Sequence, residues 1–395
     1  MLQSQRRRAF SRKTRPFPFA LALIFLAAAS VRPAAACPFC GEPEPTLSQR
    51  REAAQIVALG EVSDAAGKPR RFRIHQPLKG GELLSDPKLL AVPDASGPKL
   101  QPGALVLLLG RLASQGLADQ LSWEYVPLNE VSYAYVARSP GLRKTAAERL
   151  AYFARYLEHR EPLVANDAWL EFAHAPYDEV LRVAGHLPVE SMRDWLLDAG
   201  IPPQRKGFYA LAVGFATRPD QRRANAALLL ELIQQPASDF RSGFDGLLAG
   251  YLLLEGLPAL ELIERKYLDD SQAAQGDVRH ALAALRFYRD WGKEIPPGRI
   301  RAALRKGLGR PELAAEVIAD LARCGDWEAM LLVAGLFDKS GYPQTATDRA
   351  IVGYLSACPD PAAKRQLDRL RQVFPRRVAA AEQALSVFSG SQPDS

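Results

Sequence analysis

Histidine and cysteine are scarce in this chain, and their spacing removes much of the chemistry they usually carry. Its 395 residues include four cysteines and five histidines, His75, His159, His174, His186 and His280. No two histidines lie four residues apart, so no single helix offers a paired imidazole site for a metal ion. There is no HExxH, no GxSxG, no P-loop and no glycine-rich dinucleotide turn after a strand. No metal ligand set, no cofactor and no catalytic constellation is therefore expected. A membrane-crossing helix needs roughly 20 apolar residues. The apolar run from Phe17 to Ser30 has only 14.

Acidic residues are missing altogether from the first 36 positions, which carry Arg6, Arg7, Arg8, Arg12, Lys13, Arg15 and Arg32. Taking these seven from the chain's 51 basic residues leaves 44, equal to its 44 acidic ones, so the formal charge of +7 resides in that segment. A nucleic-acid footprint needs positive charge clustered on the folded domain. No nucleic-acid partner is expected. Elsewhere the composition is ordinary, with 48% hydrophobic and 24% charged residues, which supports a sizeable core and excludes bulk disorder.

What the first 36 residues do have is the three-part order of a secretory signal. Arg6 to Arg15 form a basic region, Phe17 to Ser30 an apolar one, and Ala34-Ala35-Ala36 a small-residue cleavage site. Residues 1–36 are expected to be a signal peptide, placing the mature chain in a periplasm or outside the cell with no membrane span. Two variants stay open. Arg7-Arg8-Ala9-Phe10 partly matches a twin-arginine signal, and Cys37 at the cleavage point would accept a lipid anchor, although Ala34 stands where a lipoprotein signal usually has leucine upstream.

Cys37-Pro38-Phe39-Cys40 resembles the active-site motif of glutaredoxins and thioredoxins, where a helix amino terminus lowers the pKa of the first thiol. That chemistry needs a strand before the motif and a helix after it. Here a signal precedes it and Gly41-Glu42-Pro43-Glu44-Pro45 follows. Haem attachment would need histidine at Gly41. A zinc site would need a second ligand pair, and Cys324 and Cys358 stand 34 residues apart. The expected role is a disulfide between Cys37 and Cys40 that ties down the mature amino terminus in an oxidising compartment.

Residues 37–140 are expected to form a compact β domain. Thr46 opens a short helix to Ala54. Strands are predicted at residues 55–62, 71–75, 88–92, 104–110, 123–127 and 132–137. The paired cysteine and the segments IVALGEV (56–62), FRIHQPLKG (72–80) and PGALVLLLG (102–110) resemble the netrin-like domain of tissue inhibitors of metalloproteinases. The resemblance implies a five-stranded OB-type barrel. It also implies an inhibitor in which Cys37 would chelate the zinc of a target protease. The chain departs from that pattern in having CxxC rather than CxC and no partner cysteines within the domain.

From residue 141 to 388 the pattern is helical. Leu150, Phe153, Ala154 and Leu157 share a stripe, and prolines or glycines punctuate about a dozen further segments. RKGFYALAVGF at Arg205 recurs as RSGFDGLLAGY at Arg241, and partly as RHALAALRFY at Arg279 and around Arg349. Two-helix units of roughly 35–40 residues resemble HEAT repeats. The arginines Arg205, Arg241, Arg279 and Arg349 read either as a row of ligands or as structural residues bonding the preceding loop, with Asp239, Asp277 and Asp348 as caps; the structural reading is favoured because caps recur in every repeat. Gly207, Gly214, Gly243 and Gly250 mark expected helix–helix contacts.

Asn166, Asp167 and Glu171 form the most polar cluster inside an apolar stretch. Asp167 and Glu171 lie one turn apart, so they read either as a carboxylate pair for acid–base work or as a cap bonding a neighbouring loop. Cys324 and Cys358 are expected to be thiols, the five tryptophans packing residues, and residues 389–395 a disordered tail.

The expected architecture is multidomain α+β, a small all-β OB-like barrel followed by an all-α HEAT-like solenoid. The whole resembles secreted bacterial proteins of unassigned activity that carry CPFC directly after the signal. The leading functional expectation is an exported, non-enzymatic interaction protein with a protein partner. The alternatives are a thiol–disulfide or acid–base enzyme and a netrin-like protease inhibitor.

Overall fold

The computed structural model describes residues 44–64, 69–92, 95–112, 121–236 and 241–389. The expected signal segment, residues 1–36, lies outside the described residues, as do Cys37, Cys40, Asp239 and residues 390–395.

Thr46 caps α1 (Leu47–Ala53) as a reciprocal box: its hydroxyl accepts from the Gln49 N–H at 3.0 Å, and Gln49 Oε1 accepts from the Thr46 N–H at 2.9 Å. The strands are β1 (Ile56–Asp64), β2 (Arg70–Lys79), β3 (Leu89–Val92), β4 (Ala95–Ser96), β5 (Leu105–Leu112) and β6 (Leu121–Leu128). They form one sheet in the order β3-β2-β1-β5-β6-β4, antiparallel except for the short β4–β6 pairing. β1 lies between β2 and β5, and Ile56 to Gly60 are buried on both faces, which is why its sequence is continuously apolar rather than alternating. One face gathers Ala58, Val62, Phe72, Ile74, Val106, Leu108 and Tyr125. The other, with Val57, Leu59, Leu107 and Leu109, packs against helices.

β3 and β4 sit at opposite edges of the sheet, yet only two residues separate Val92 from Ala95. Three Cα steps span at most about 11 Å. The sheet must therefore curl until its edges approach.

The segment predicted as a sixth strand, 132–137, is instead helix α2 (Glu130–Arg138). Its alternation of small and aromatic residues imitates a strand. Asn129 and Ser132 make a reciprocal cap at 2.9 Å each way, and Ser132, Tyr135 and Val136 are buried together on one helical face. The local cap and the three-to-four spacing override the period of two.

The remaining helices are α3 (Ala146–Phe153), α4 (Pro162–Ala173), α5 (Tyr177–Arg182), α6 (Val189–Leu197), α7 (Pro203–Val213), α8 (Pro219–Gln234), α9 (Phe244–Glu255) and α10 (Leu257–Ile263), then α11 (Gln275–Trp291), α12 (Pro297–Lys306), α13 (Ala314–Arg323), α14 (Met330–Ala334), α15 (Gln344–Ala357), α16 (Pro361–Val373) and α17 (Pro375–Ser389). Many prolines that punctuate the sequence open helices, as Pro162, Pro203, Pro219, Pro297 and Pro361 do, because the first turn needs no N–H donor there. The chain is thus α+β, mostly helical with a small curled antiparallel sheet. α7, α9 and α11 lie side by side, as do α13, α15 and α17; α6 backs α7, α8 backs α9, α12 bridges α11 and α13, and α16 lies on α15 and α17. The boundary drawn at 140/141 falls between α2 and α3. One hydrophobic cluster spans it, joining Val57 and Leu59 to Tyr135, Phe153 and Phe172.

The repeated glycines meet between α7 and α9. A Cβ on Gly246 would stand 2.0 Å from the Gly207 carbonyl oxygen, and one on Gly250 would stand 2.3 Å from that of Ala210. Gly214 faces the Gly250 Cα at 2.8 Å on the same reckoning. Backbone lies directly on backbone here, which only glycine permits.

Candidate functional site

α4 places Asp167 and Glu171 on one face, and both are buried, Asp167 at 4% and Glu171 at 1% exposure. Asp167 joins three segments. Its Oδ1 accepts from the Leu47 backbone N–H at 2.7 Å, and its Oδ2 accepts from the Tyr135 hydroxyl at 2.7 Å. The carboxylate thereby meets the first turn of α1, where unpaired N–H groups favour negative charge. Burial pushes the Asp167 carboxyl up to about 6; the Leu47 and Tyr135 hydrogen bonds oppose this, the nearby Glu171 charge adds to it, and Arg51 offsets a part. Burial, and then the Asp167 charge, push the Tyr135 hydroxyl well above its ordinary range, so it stays a donor.

Glu171 pairs with Arg149 of α3, while its Oε1 has no hydrogen-bond partner among the described residues. Arg51, in the last turn of α1, donates from Nη1 to Ser139 Oγ at 2.6 Å and to the Val136 carbonyl at 3.5 Å. Burial lowers its pKa, and the Asp167 and Glu171 charges restore part of the loss. Tyr152 donates to the Tyr135 carbonyl at 3.1 Å and packs with Tyr135, Phe153 and Tyr156. The cluster is a buried polar tie between α1, α2, α3 and α4. Both Asp167 oxygens are occupied and neither carboxylate faces solvent, so the pair is shaped to hold segments together rather than to reach a substrate.

Asn166 stands apart from this pair. Its Oδ1 accepts from Arg205 Nη2 at 3.2 Å. Arg205 also clasps Glu158 at 3.0 and 3.1 Å, and Tyr209 donates to Glu158 at 2.5 Å. The other repeat arginines have different surroundings. Arg241 donates to the Leu232 and Ile233 carbonyls at the end of α8, both at 3.3 Å, lies over the Phe244 ring and approaches Asp277 at 3.7 Å. Arg279, half exposed, stands 3.9 Å from Glu316. Arg349 is exposed on α15 beside a shallow hollow that Glu316 also lines. Arg205 and Arg241 thus bind neighbouring segments, while Arg279 and Arg349 lie at the surface.

Sequence reasoning missed Tyr135, Arg149, Arg51 and the Leu47 N–H as partners of the cluster. For Tyr135 the signal was there, in the Asn129–Ser132 cap that makes α2 a helix. Cys324 and Cys358 are free thiols, Cys358 buried. Among the described residues no group of three or more histidine, cysteine, aspartate or glutamate side chains is placed to hold a metal ion, and no helix is long and apolar enough to cross a membrane.

No protein-family model and no curated protein matches the chain. Among solved structures it has a likeness to human deoxyhypusine hydroxylase in complex with glycerol, at 14% identity and a TM-score of 0.26, covering 62% of this chain and 97% of that one. A likeness of that size carries no argument about fold or activity.

Proposed function

We propose that the chain is an exported, non-enzymatic interaction protein that binds a protein partner through its helical array. The array is read as HEAT-like units and the curled sheet as an OB-like module fixed to them. The observation that carries the reading is a pair of adjacent exposed leucines, Leu331 at 66% and Leu332 at 58% exposure, on the five-residue helix α14. Single exposed leucines are ordinary, but two together beside a hollow of about 430 Å³ that Leu308, Leu336 and Tyr342 also line make an apolar landing site. The sequestration of Asp167 and Glu171 supports the same reading, because it removes the acid–base alternative's main candidates. Export rests on the order of residues 1–36, and a disulfide or lipid at Cys37 belongs to the same proposal.

The test is affinity capture from the exported-protein fraction of the source with the full mature chain. The expected result is a specific partner that is lost with the double substitution Leu331→Asp, Leu332→Asp and kept when Cys37 and Cys40 become serine. No partner, together with a reactive CPFC thiol, would overturn the proposal in favour of redox chemistry.

A further inference from the structure

The carboxyl end of α1 opens onto a pocket of about 260 Å³ where α1, β2 and the loop after α2 meet. Arg51, Lys79 and Arg143 line it, against one carboxylate, Glu52; Val57 and Leu78 add apolar wall. Glu52 does not neutralise the three cations. Its side chain is 59% exposed and lies 4.0 Å from Lys79 Nζ, which donates instead to the Glu52 backbone carbonyl at 2.6 Å. Arg143 is exposed and makes no hydrogen bond or ion pair among the described residues. Arg51 is the informative residue. Its direct partners are neutral, Ser139 Oγ and the Val136 carbonyl, and both engage the same Nη1 atom. Neither nearby carboxylate hydrogen-bonds to Arg51 among the described residues: Asp167 is taken by Leu47 and Tyr135, and Glu171 turns one oxygen to Arg149. A half-buried guanidinium, held in place by neutral groups and open on one side to a concave space, is an oxyanion receptor in waiting.

We propose that this pocket binds an oxyanion carried on a small apolar body, with Arg51 as the principal donor and Lys79 and Arg143 at its rim. The shared chemistry is a carboxylate or phosphoryl group; Val57 and Leu78 would take the apolar portion. An anion there would add a direct counter-charge to the longer-range ones that Asp167 and Glu171 already supply to Arg51.

Calorimetric titration of the full mature chain with butyrate, phenyl phosphate and neutral butyramide, at constant ionic strength balanced with chloride, tests this. Saturable one-site binding of either anion is expected, and which one binds more tightly names the source. Arg51→Gln should weaken it about tenfold or more and Arg143→Gln about threefold, in line with the loss of one charge-assisted hydrogen bond and one longer-range charge. Should Arg51→Gln fail to fold, the exposed Arg143 and a Lys79→Met variant carry the test. The proposal is overturned if neither anion binds saturably, if butyramide binds as tightly as butyrate, or if the folded variants bind like the parent chain.

Discussion

Gly246→Ala is expected to destabilise the chain by about 3 kcal/mol, near the upper end of what an overpacked contact usually costs. The added methyl carbon would lie 2.0 Å from the Gly207 carbonyl oxygen, 2.5 Å from its carbon and 2.6 Å from its Cα. All three are backbone atoms, so no side chain can swing aside. α7 and α9 would have to separate, and Phe208, Phe244 and Leu248, each buried, would lose contacts. Alanine's better helix propensity returns less than about 1 kcal/mol. At about 2–4 °C per kcal/mol for a chain of this size, the thermal midpoint should fall by roughly 6–12 °C. Gly298, in the first turn of α12, is the internal control. Nothing stands within 4 Å of its would-be Cβ. Gly298→Ala should leave the midpoint unchanged or raise it by the propensity difference. Circular dichroism melts of both variants measure the contrast, and equal behaviour would contradict the close α7–α9 contact.

Asp167→Ala should cost about 3–5 kcal/mol at neutral pH, because it strands the Leu47 N–H and the Tyr135 hydroxyl in the interior and removes a counter-charge near Arg51. Asp167→Asn keeps the shape and an acceptor for Leu47, and its value lies in pH dependence. The Asp167 carboxyl titrates near 6 in the folded chain, against an ordinary value of 3.8. The folded state therefore binds this proton more tightly than the unfolded state does. The stabilisation from protonation is complete below about pH 3.8 and is lost as pH rises through 6. The separation corresponds to about 3 kcal/mol at 1.36 kcal/mol per pH unit. Relative to Asp167→Asn, the parent chain should lose most of that, roughly 2.4 kcal/mol, between pH 4 and pH 7, as read by urea denaturation of the two in parallel. A difference that stays flat across this range would mean that Asp167 titrates as an ordinary surface carboxylate.

The elements legible in the sequence are those whose cause is local. Thr46 and Gln49 cap α1 within four residues of each other, the apolar run of β1 betrays burial on both faces, and the glycines of the Arg205 and Arg241 copies mark the α7–α9 contact. What was not legible depends on distant partners or on ambiguous periods. Tyr135 sits in a segment of six residues that fits a strand and a helix equally, and only the Asn129–Ser132 cap decides. Asp167 and Glu171 were visible as polar residues in an apolar stretch. Their meaning came from a backbone N–H 120 positions away, which has no residue signature at all. Asn166, adjacent in sequence, points to Arg205 instead, because neighbouring positions on a helix are turned about 100° from one another. The arginine copies diverge because they stand at different places relative to their helices. Arg241 follows α8 and finds its last carbonyls, whereas Arg279 lies inside α11 and finds a neighbouring glutamate.

The central claim is that the exported chain engages a protein through the α14 surface. A photo-crosslinking residue in place of Leu331 in the full-length chain, activated in living source cells, tests it most directly, with Asp220, 65% exposed at the start of α8, as the control position. One discrete adduct from position 331 and none from position 220, found on the cleaved chain in the exported fraction, is the result the account predicts. No adduct from position 331, or adducts only on uncleaved chain in the cytoplasm, would contradict it.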